Sequence, residues 1–239
     1  MEELENAENF AVKTSSELHT IAEITLRGVQ ARRRFTYELE NKVENFASTG
    51  TGMRIIILYG LRGTGKTVGL LQLVAKKQFP SNAFFVRGDE LAANNIDLLG
   101  LVEALDKINR EKVGVKNKYL LLVDEITQIS NWPLKIKVLH DTRPNLLIVI
   151  TSSSALALAF PADIARRSAV ITATPLTFRE YLEIKHGTTI PDNLAKKMRA
   201  AFNSGINPLQ EFAQALAVMK TKNLEGILED YLKEDMPLS

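Results

Sequence analysis

The sequence contains no cysteine, one tryptophan and three histidines among its 239 residues. The absence of cysteine excludes a disulfide framework, a thiolate metal site and a cysteine nucleophile. The histidines, at positions 19, 140 and 186, are too scattered to suggest a metal site. The net charge is +2, with 30 basic and 28 acidic residues, so the overall charge gives no argument for nucleic acid as a partner.

Long hydrophobic runs are also missing. The longest, near Leu120 and Leu146, have the length of strands and are too short to cross a membrane. The first residues, Met1-Glu2-Glu3, are acidic and unlike a signal peptide. We therefore expect a cytoplasmic protein without a membrane span.

One segment fits the phosphate-binding pattern G-x-x-x-x-G-K-[ST] at every fixed position. The apolar run Ile55–Tyr59 before it predicts a buried parallel strand, and residues 67–77 after it predict a helix. The amides of such a loop and the helix N-terminus form a site for anions, so we predict that ATP or ADP is bound here. The predicted contacts are Gly60, Leu61, Arg62, Gly63, Thr64, Gly65, Lys66, Thr67 and Val68.

Two of these residues have expected chemical roles. Lys66 is expected to reach the β- and γ-phosphates, and the Thr67 hydroxyl to be a ligand of Mg²⁺. The alternative is a glycine-rich turn without a ligand. Three glycines in six residues argue against that alternative, because each one loses backbone entropy on folding.

A second segment supports phosphoryl chemistry. The apolar run Tyr119–Val123 ends in Asp124 and Glu125, and the carboxyl ends of parallel strands are where open α/β sheets bind ligands. Asp124 is expected to hold Mg²⁺, directly or through water, and Glu125 to orient the attacking water. Alone, the two carboxylates would indicate only a solvated strand end.

Strand-length apolar segments recur at 55–59, 83–86, 119–123, 146–150 and 169–173, with helical patterns at 96–108 and 132–140. This alternation predicts an α/β fold with a mostly parallel five-stranded sheet between helices. Before it, Ser16 is expected to cap a helix, and 35–46 to form another. After Pro175 the pattern is helical only, with a capping box at Thr177 and Glu180 and helices over 193–202, 207–219 and 224–232.

These patterns predict three regions. They are a peripheral N-terminal helical segment over 1–50, an α/β core with the phosphate loop over 51–174, and a small all-helical domain over 175–239.

From about residue 55 to about residue 237, the chain resembles the archaeal and bacterial ATPases of the AAA+ superfamily. The resemblance is carried by the phosphate loop, by Asp124-Glu125-Ile126 with Trp132 eight positions after Asp124, and by serines 152–154. It is carried most specifically by Pro175-Leu176-Thr177-Phe178-Arg179-Glu180-Tyr181-Leu182, which is similar to the family block P-L-S-F-x-E-Y-L.

The resemblance implies a P-loop NTPase of the AAA+ type that hydrolyses ATP with Mg²⁺ and carries a helical lid. It implies that a hydroxyl among residues 151–153, with Ser153 as the catalytic candidate, senses the γ-phosphate. Arg167 takes the place of a phosphate-sensing or intersubunit arginine, and Gly205 and Pro208 resemble the lid turn. An intersubunit arginine implies an oligomer. Relatives with a further C-terminal domain, often DNA-binding, make DNA or an effector domain an expected partner.

Some positions depart from the family pattern. Arg166 replaces the glycine before Arg167, Thr127 replaces a glutamine, and Ile206 replaces the second glycine of the lid turn. These departures leave open which hydroxyl senses phosphate, and whether Arg167 acts in its own subunit or in a neighbour.

Three functions remain open on the sequence. The first is ATP hydrolysis that moves the lid or a partner, and the second is a small-molecule kinase, for which no acceptor signature is present. The third is a nucleotide-gated interaction or signalling module that does not hydrolyse ATP. The run Arg32-Arg33-Arg34 could contact a phosphate backbone, although such runs more often form a solvated helix face.

Overall fold

The computed structural model describes residues 2–27, 32–50, 52–75, 83–113, 118–153, 162–187 and 224–234, together with residues 196 and 200. The chain divides into two compact units, Met1–Ala173 and Thr174–Ser239. Within the described residues no helix is long and apolar enough to cross a membrane.

The first unit is built on a sheet of five strands. They are β1 (Ile55–Tyr59), β2 (Ala83–Arg87), β3 (Tyr119–Asp124), β4 (Leu146–Ser152) and β5 (Ser168–Thr172). The order is β2-β3-β4-β1-β5, and every neighbouring pair is parallel. Every residue of β3 and β4 is buried, as expected for parallel strands that helices cover on both faces.

In the described part of the first unit, an N-terminal pair of helices comes first, and one or two helices then separate consecutive strands. They are α1 (Glu2–Thr25), α2 (Arg34–Thr49), α3 (Lys66–Ala75), α4 (Gly88–Ala93), α5 (Leu98–Val113), α6 (Trp132–Thr142) and α7 (Ala162–Ala165). A 3₁₀ turn, Ile126–Gln128, follows Glu125.

The core lies in two layers, one on each face of the sheet. Ile55 and Ile57 of β1 belong to the layer that includes α5 and α6. Ile56 and Leu58 belong to the layer that includes α2 and α3. Successive side chains of a strand point to opposite faces, so one short apolar strand contributes to both layers.

Helix α1 contacts α5, α3 and the edge strand β2. Ala11 is buried in the first core layer, whereas Leu18 and Ala22 are buried in the second. The helix therefore covers the β2 edge of the sheet, whose unpaired backbone groups would otherwise be open to another strand.

The described part of the second unit contains helices α8 (Phe178–His186) and α9 (Leu224–Glu234). The hydroxyl of Thr177 accepts a hydrogen bond from the Glu180 amide, and the Glu180 carboxylate accepts one from the Thr177 amide. Tyr231 of α9 packs its ring against Phe178 and Tyr181 of α8, and its hydroxyl donates to the carbonyl oxygen of Leu176, just before α8, at 2.7 Å.

The structure confirms the predicted α/β fold and the predicted capping box, and each predicted strand agrees to within two residues at either end. It differs at the N-terminus, because α1 begins at Glu2 and passes through Ser16, which is therefore not a cap. Residues 1–50 are part of the first compact unit and bury side chains in its core, so they are not a peripheral segment.

Helix α4 was not predicted, and α5 begins at Leu98 instead of residue 96. The predicted helices over 193–202 and 207–219, and the lid turn at Gly205 and Pro208, lie outside the described residues apart from positions 196 and 200.

Candidate functional site

The phosphate loop connects the carboxyl end of β1 to the first turn of α3. Gly63 and Gly65 have φ angles of 82° and 83°, which are left-handed conformations that favour glycine. At Gly60 the reason for glycine is space, because a Cβ atom there would lie 2.1 Å from the carbonyl oxygen of Ala173. The motif glycines are therefore required by the backbone path itself.

Lys66 turns back over this loop. Its Nζ donates hydrogen bonds to the carbonyl oxygens of Gly60 at 2.9 Å and Leu61 at 2.8 Å. Burial lowers the pKa of Lys66, and the charges of Glu125 and Asp124 oppose that shift. The ammonium group thus contacts the loop that is expected to hold phosphate and interacts electrostatically with Asp124, which ends β3, and with Glu125, which follows it.

Asp124 is buried at the end of β3 and accepts two hydrogen bonds. The Thr67 hydroxyl donates to Asp124 Oδ2 at 2.7 Å, and the Thr151 hydroxyl donates to Asp124 Oδ1 at 2.5 Å. The sheet register explains both contacts, because β4 lies between β3 and β1. Val123 of β3 pairs with Ile150 on one side of β4, and β1, which leads into the phosphate loop, pairs with the other side of β4. The two predicted metal ligands, Thr67 and Asp124, are therefore in direct contact.

Glu125 follows in a left-handed conformation, with φ 52° and ψ 54°. Its amide donates to the Thr151 hydroxyl at 2.9 Å, and the Ser153 hydroxyl donates to its Oε2 at 2.9 Å. A Cβ atom at Gly88 would lie 2.3 Å from the Glu125 carbonyl oxygen, so only glycine fits at the start of α4. A non-glycine residue held in this conformation, with its backbone and carboxylate both fixed, is typical of a functional position.

Among the described residues, no three His, Cys, Asp or Glu side chains form a cluster that could hold a metal by themselves. Mg²⁺ does not need such a cluster, since in phosphate sites it takes one or two protein oxygens and completes its shell with phosphate and water. A threonine hydroxyl beside a buried carboxylate is the donor set that this mode requires. Thr67 and Asp124 therefore fit Mg²⁺.

These groups line one cavity of about 470 Å³ on the carboxyl edge of the sheet. The cavity is lined by Arg62, Gly63, Gly65, Lys66, Thr67, Val68, Arg87, Asp89, Asp124, Glu125, Gln128 and Ser153. The structure thus brings together Lys66, Thr67, Asp124, Glu125 and Ser153, which the sequence had placed up to 87 positions apart.

Of the predicted nucleotide contacts, Gly60, Leu61 and Thr64 do not line this cavity, and of the predicted catalytic residues, Arg167 does not. Arg167 directly precedes β5, which starts beside Ile55, whereas the phosphate loop follows Tyr59 at the other end of β1. Arg167 therefore lies at the opposite edge of the sheet, where its guanidinium donates to Asp141 Oδ1 at 2.5 Å. The prediction that it is a catalytic residue does not hold for the cavity of its own subunit.

Sequence reasoning missed four residues near the site. Arg87, Asp89 and Gln128 line the cavity, and Arg33 donates to the carbonyl oxygen of Thr64 in the phosphate loop at 2.8 Å. Arg33 was part of the arginine run considered for nucleic acid. Its basic character was visible in the sequence, but nothing there indicated which group it would contact.

Comparison with known proteins bears on this geometry. Residues 52–182, more than half of the chain, match the model of a family described as AAA domain. The chain belongs to the AAA domain family. This confirms the resemblance to AAA+ P-loop ATPases. The sheet, the phosphate loop and strand β3 with its carboxylates form an ATPase-type domain.

The AAA domain has relatives among archaeal proteins. The uncharacterized protein MJ1637 of Methanocaldococcus jannaschii is 34% identical over 211 residues, which are 84% of this chain and 42% of that protein. The uncharacterized protein MJ1544 of the same organism is 28% identical over 133 residues, which are 56% of this chain and 29% of that protein. The chain spans less than half the length of these curated relatives.

Among solved structures, the Walker-type ATPase PABY2304 of Pyrococcus abyssi matches with a TM-score of 0.45 and 14% identity. The match covers 84% of this chain and 75% of that one.

Proposed function

We propose that this AAA domain binds ATP in the cavity on the carboxyl edge of its sheet and hydrolyses it to ADP and phosphate. One observation carries the proposal. A continuous chain of hydrogen bonds runs from Thr67 through Asp124, Thr151 and Glu125 to Ser153, directly beside the buried Lys66. It joins the groups that hold phosphate to a carboxylate that can orient water.

The roles of the residues follow from their positions. The loop amides and Lys66 bind the β- and γ-phosphates and stabilise their negative charge. Glu125 accepts a hydrogen bond and then a proton from a water whose oxygen attacks the γ-phosphorus. The bond from that phosphorus to the bridging oxygen breaks, and ADP leaves with that oxygen. Thr67 and Asp124 would hold Mg²⁺, which when bound supplies positive charge to the phosphates. Thr151 fixes both carboxylate-bearing residues, and Ser153 fixes the Glu125 side chain.

Titration calorimetry with Mg-ATP and a phosphate-release assay test this function. Lys66→Ala should abolish tight binding, whereas Lys42→Ala should bind like the wild type. Lys42 is the matched control because it is a surface lysine whose nearest carboxylate, Glu38, is 3.8 Å away on the same helix. Equal affinity in Lys66→Ala and the wild type would refute the assigned site.

Arg167 enters the proposal as a residue that acts in a neighbouring subunit of an oligomer. Its position at the sheet edge opposite the cavity supports a role across an interface. Mixing Arg167→Ala, whose cavity is intact, with Glu125→Gln, whose arginine is intact, should then restore turnover that neither variant has alone. If Arg167→Ala alone hydrolyses ATP like the wild type, this role is wrong.

We further propose that nucleotide state is coupled to movement of the second unit, residues 174–239, as a lid, or of a partner. The family resemblance supports this proposal, and such coupling requires contacts that differ between the ATP and ADP states. Adding duplex DNA to the phosphate-release assay tests DNA as the partner, since a bound effector should change the turnover rate.

One observation favours a second candidate, the nucleotide-gated module. Ser153 already occupies one oxygen of Glu125, and a carboxylate held in this way is not free to orient water on that side. If the wild type binds Mg-ATP tightly without releasing phosphate, and Ser153→Ala hydrolyses ATP, the hydrogen bond from Ser153 to Glu125 inhibits hydrolysis. That result would favour the nucleotide-gated module.

A further inference from the structure

The phosphate loop has a contact on its outer side that the proposed mechanism does not use. The guanidinium of Arg33 donates from Nη1 to the carbonyl oxygen of Thr64 at 2.8 Å. Arg33 is the residue before α2, 31 positions away from Thr64 in the sequence. The N-terminal segment of the chain thus reaches the loop that is expected to hold phosphate.

The hydrogen bond from Arg33 restrains the orientation of the peptide unit between Thr64 and Gly65. The carbonyl of Thr64 and the amide of Gly65 belong to one trans peptide unit, in which the C=O and N–H bonds point in opposite directions. Arg33 holds the carbonyl oxygen on one side, so the Gly65 N–H points to the other. Gly65 also lines the cavity, and an amide directed away from Arg33 is available to a phosphate bound there.

This peptide unit needs an anchor because of the glycines around it. Gly63 and Gly65 both have φ angles near 80° and lack the Cβ atom that restricts other residues, so rotation of the intervening peptides costs little. Thr64 has one local restraint, the hydrogen bond from its hydroxyl to the carbonyl oxygen of Leu61 at 2.9 Å. That bond positions the side chain, whereas Arg33 holds the peptide oxygen itself.

Arg33 is itself held in place. Its guanidinium lies over the ring of Phe35, 5.4 Å from the ring centre. Phe35 is buried and packs tightly against α3, since a Cβ atom at Gly69 would lie 2.7 Å from its Cε2 atom. Phe35 therefore connects the arginine to the helix that starts at Lys66, the residue that ends the glycine-rich part of the phosphate loop.

We propose that Arg33 is a positioning residue for nucleotide binding, which holds the Thr64–Gly65 peptide with its amide directed at the phosphates. The inference rests on the proposed function of this cavity. A charge-assisted hydrogen bond also polarises the peptide, which makes its amide a better donor to an anion. The arginine run considered for nucleic acid is, at this position, part of the nucleotide site.

The experiment measures affinity for ADP and for inorganic pyrophosphate by titration calorimetry in the full chain. Arg33→Ala should weaken both by about tenfold or more, the scale of a hydrogen bond to a charged group. Arg33→Lys retains a charged donor but loses the planar group that lies over Phe35, so it should recover part of the affinity. Arg34→Ala, which removes the adjacent exposed arginine, should leave both affinities within about threefold of the wild type, as surface substitutions usually do.

Two results together would support the inference: the lysine variant regains affinity, and Arg33→Ala binds pyrophosphate more weakly. A general loss of stability would depend neither on a charged donor at this position nor on the phosphate groups of the ligand. Wild-type affinity in Arg33→Ala would overturn it, as would equal weakening in Arg34→Ala, which would indicate a diffuse charge effect. Lys66→Ala is included to separate the two proposals. If it binds ADP as well as the wild type does, the assigned cavity is wrong and this inference falls with it.

Discussion

The hydroxyl of Thr151 connects Asp124, the proposed Mg²⁺ ligand, with Glu125, the residue proposed to orient water. It donates to Asp124 Oδ1 at 2.5 Å and accepts from the Glu125 amide at 2.9 Å, and it is fully buried. Replacing Thr151 by valine keeps the shape of the side chain and removes both hydrogen bonds. We predict that this single change lowers both the stability of the first unit and its turnover.

The magnitude follows from the two bonds. The bond to a charged carboxylate contributes about 1.5–3 kcal/mol, and leaving the Glu125 amide without a partner costs about 1 kcal/mol or more. The added methyl group offsets about 1 kcal/mol through burial. The expected loss is roughly 2–3 kcal/mol in the free energy of unfolding, a fall in melting temperature of roughly 4–12 °C for a unit of this size.

The effect on catalysis should be larger than the effect on nucleotide affinity. Without the hydroxyl, Asp124 and Glu125 lose their common anchor, and misplacing a water-orienting group by about 1 Å costs on the order of a hundredfold in rate. Phosphate release should fall on that scale, while ADP affinity, measured by calorimetry, stays within about threefold because the loop amides are unchanged.

The matched control is Thr172→Val, at an exposed position that ends β5. Thermal unfolding and phosphate release of that variant should resemble the wild type. Equal stability and equal turnover in Thr151→Val and the wild type would refute the reasoning that the hydroxyl bridges the two carboxylate residues.

Three further predictions follow from single contacts. Gly60→Ala places a methyl group 2.1 Å from a carbonyl oxygen and should destabilise the first unit by about 3 kcal/mol in chemical denaturation. Asp97 caps α5 at the Leu99 and Gly100 amides, so Asp97→Ala should cost about 1 kcal/mol near neutral pH. Burial raises the pKa of Asp97, but hydrogen bonds from Lys135 and the amides lower it overall, so the deficit should vanish only in acid, as the pH falls through that lowered pKa. Ser153→Ala should slow phosphate release about tenfold at unchanged ADP affinity if the hydroxyl orients Glu125, and a faster rate would contradict that role.

The strands and the two motifs could be predicted from the sequence because their signals are local. Strand β1 is a run of apolar residues buried on both faces, and the sequence alone marks its limits. Parallel strands also place their carboxyl ends together, so Asp124 could be assigned to the edge that holds the phosphate loop before any coordinates were known.

Helix α1 was harder to interpret because its core contacts depend mainly on small residues. It packs through Ala7, Ala11, Leu18 and Ala22, and alanine, the strongest helix former, favours a helix without indicating which face is buried. Helix α4 has six residues, too few to show a helical period, and it begins at a glycine that is required by the Glu125 carbonyl oxygen. Neither feature has a sequence pattern that distinguishes it from a loop or a solvated helix.

Two site assignments depended on three-dimensional position, which no motif records. Arg167 matches the family pattern in sequence, but β5 runs parallel to β1, so the residue before β5 lies at the edge away from the phosphate loop. Arg33 matches no phosphate motif, yet the packing of Phe35 on α3 brings it to Thr64. Contacts of this kind are set by how helices pack on the sheet and become visible only in the folded chain.

The central claim is that Glu125 orients water for ATP hydrolysis in this cavity. The most direct test is phosphate release from Mg-ATP by the wild type and by Glu125→Gln, with ATP affinity measured on the same samples. We expect turnover in the wild type, and turnover at least about a hundredfold lower in the variant, at similar affinity. Equal turnover in both proteins, or ATP binding without any phosphate release by the wild type, would contradict this claim.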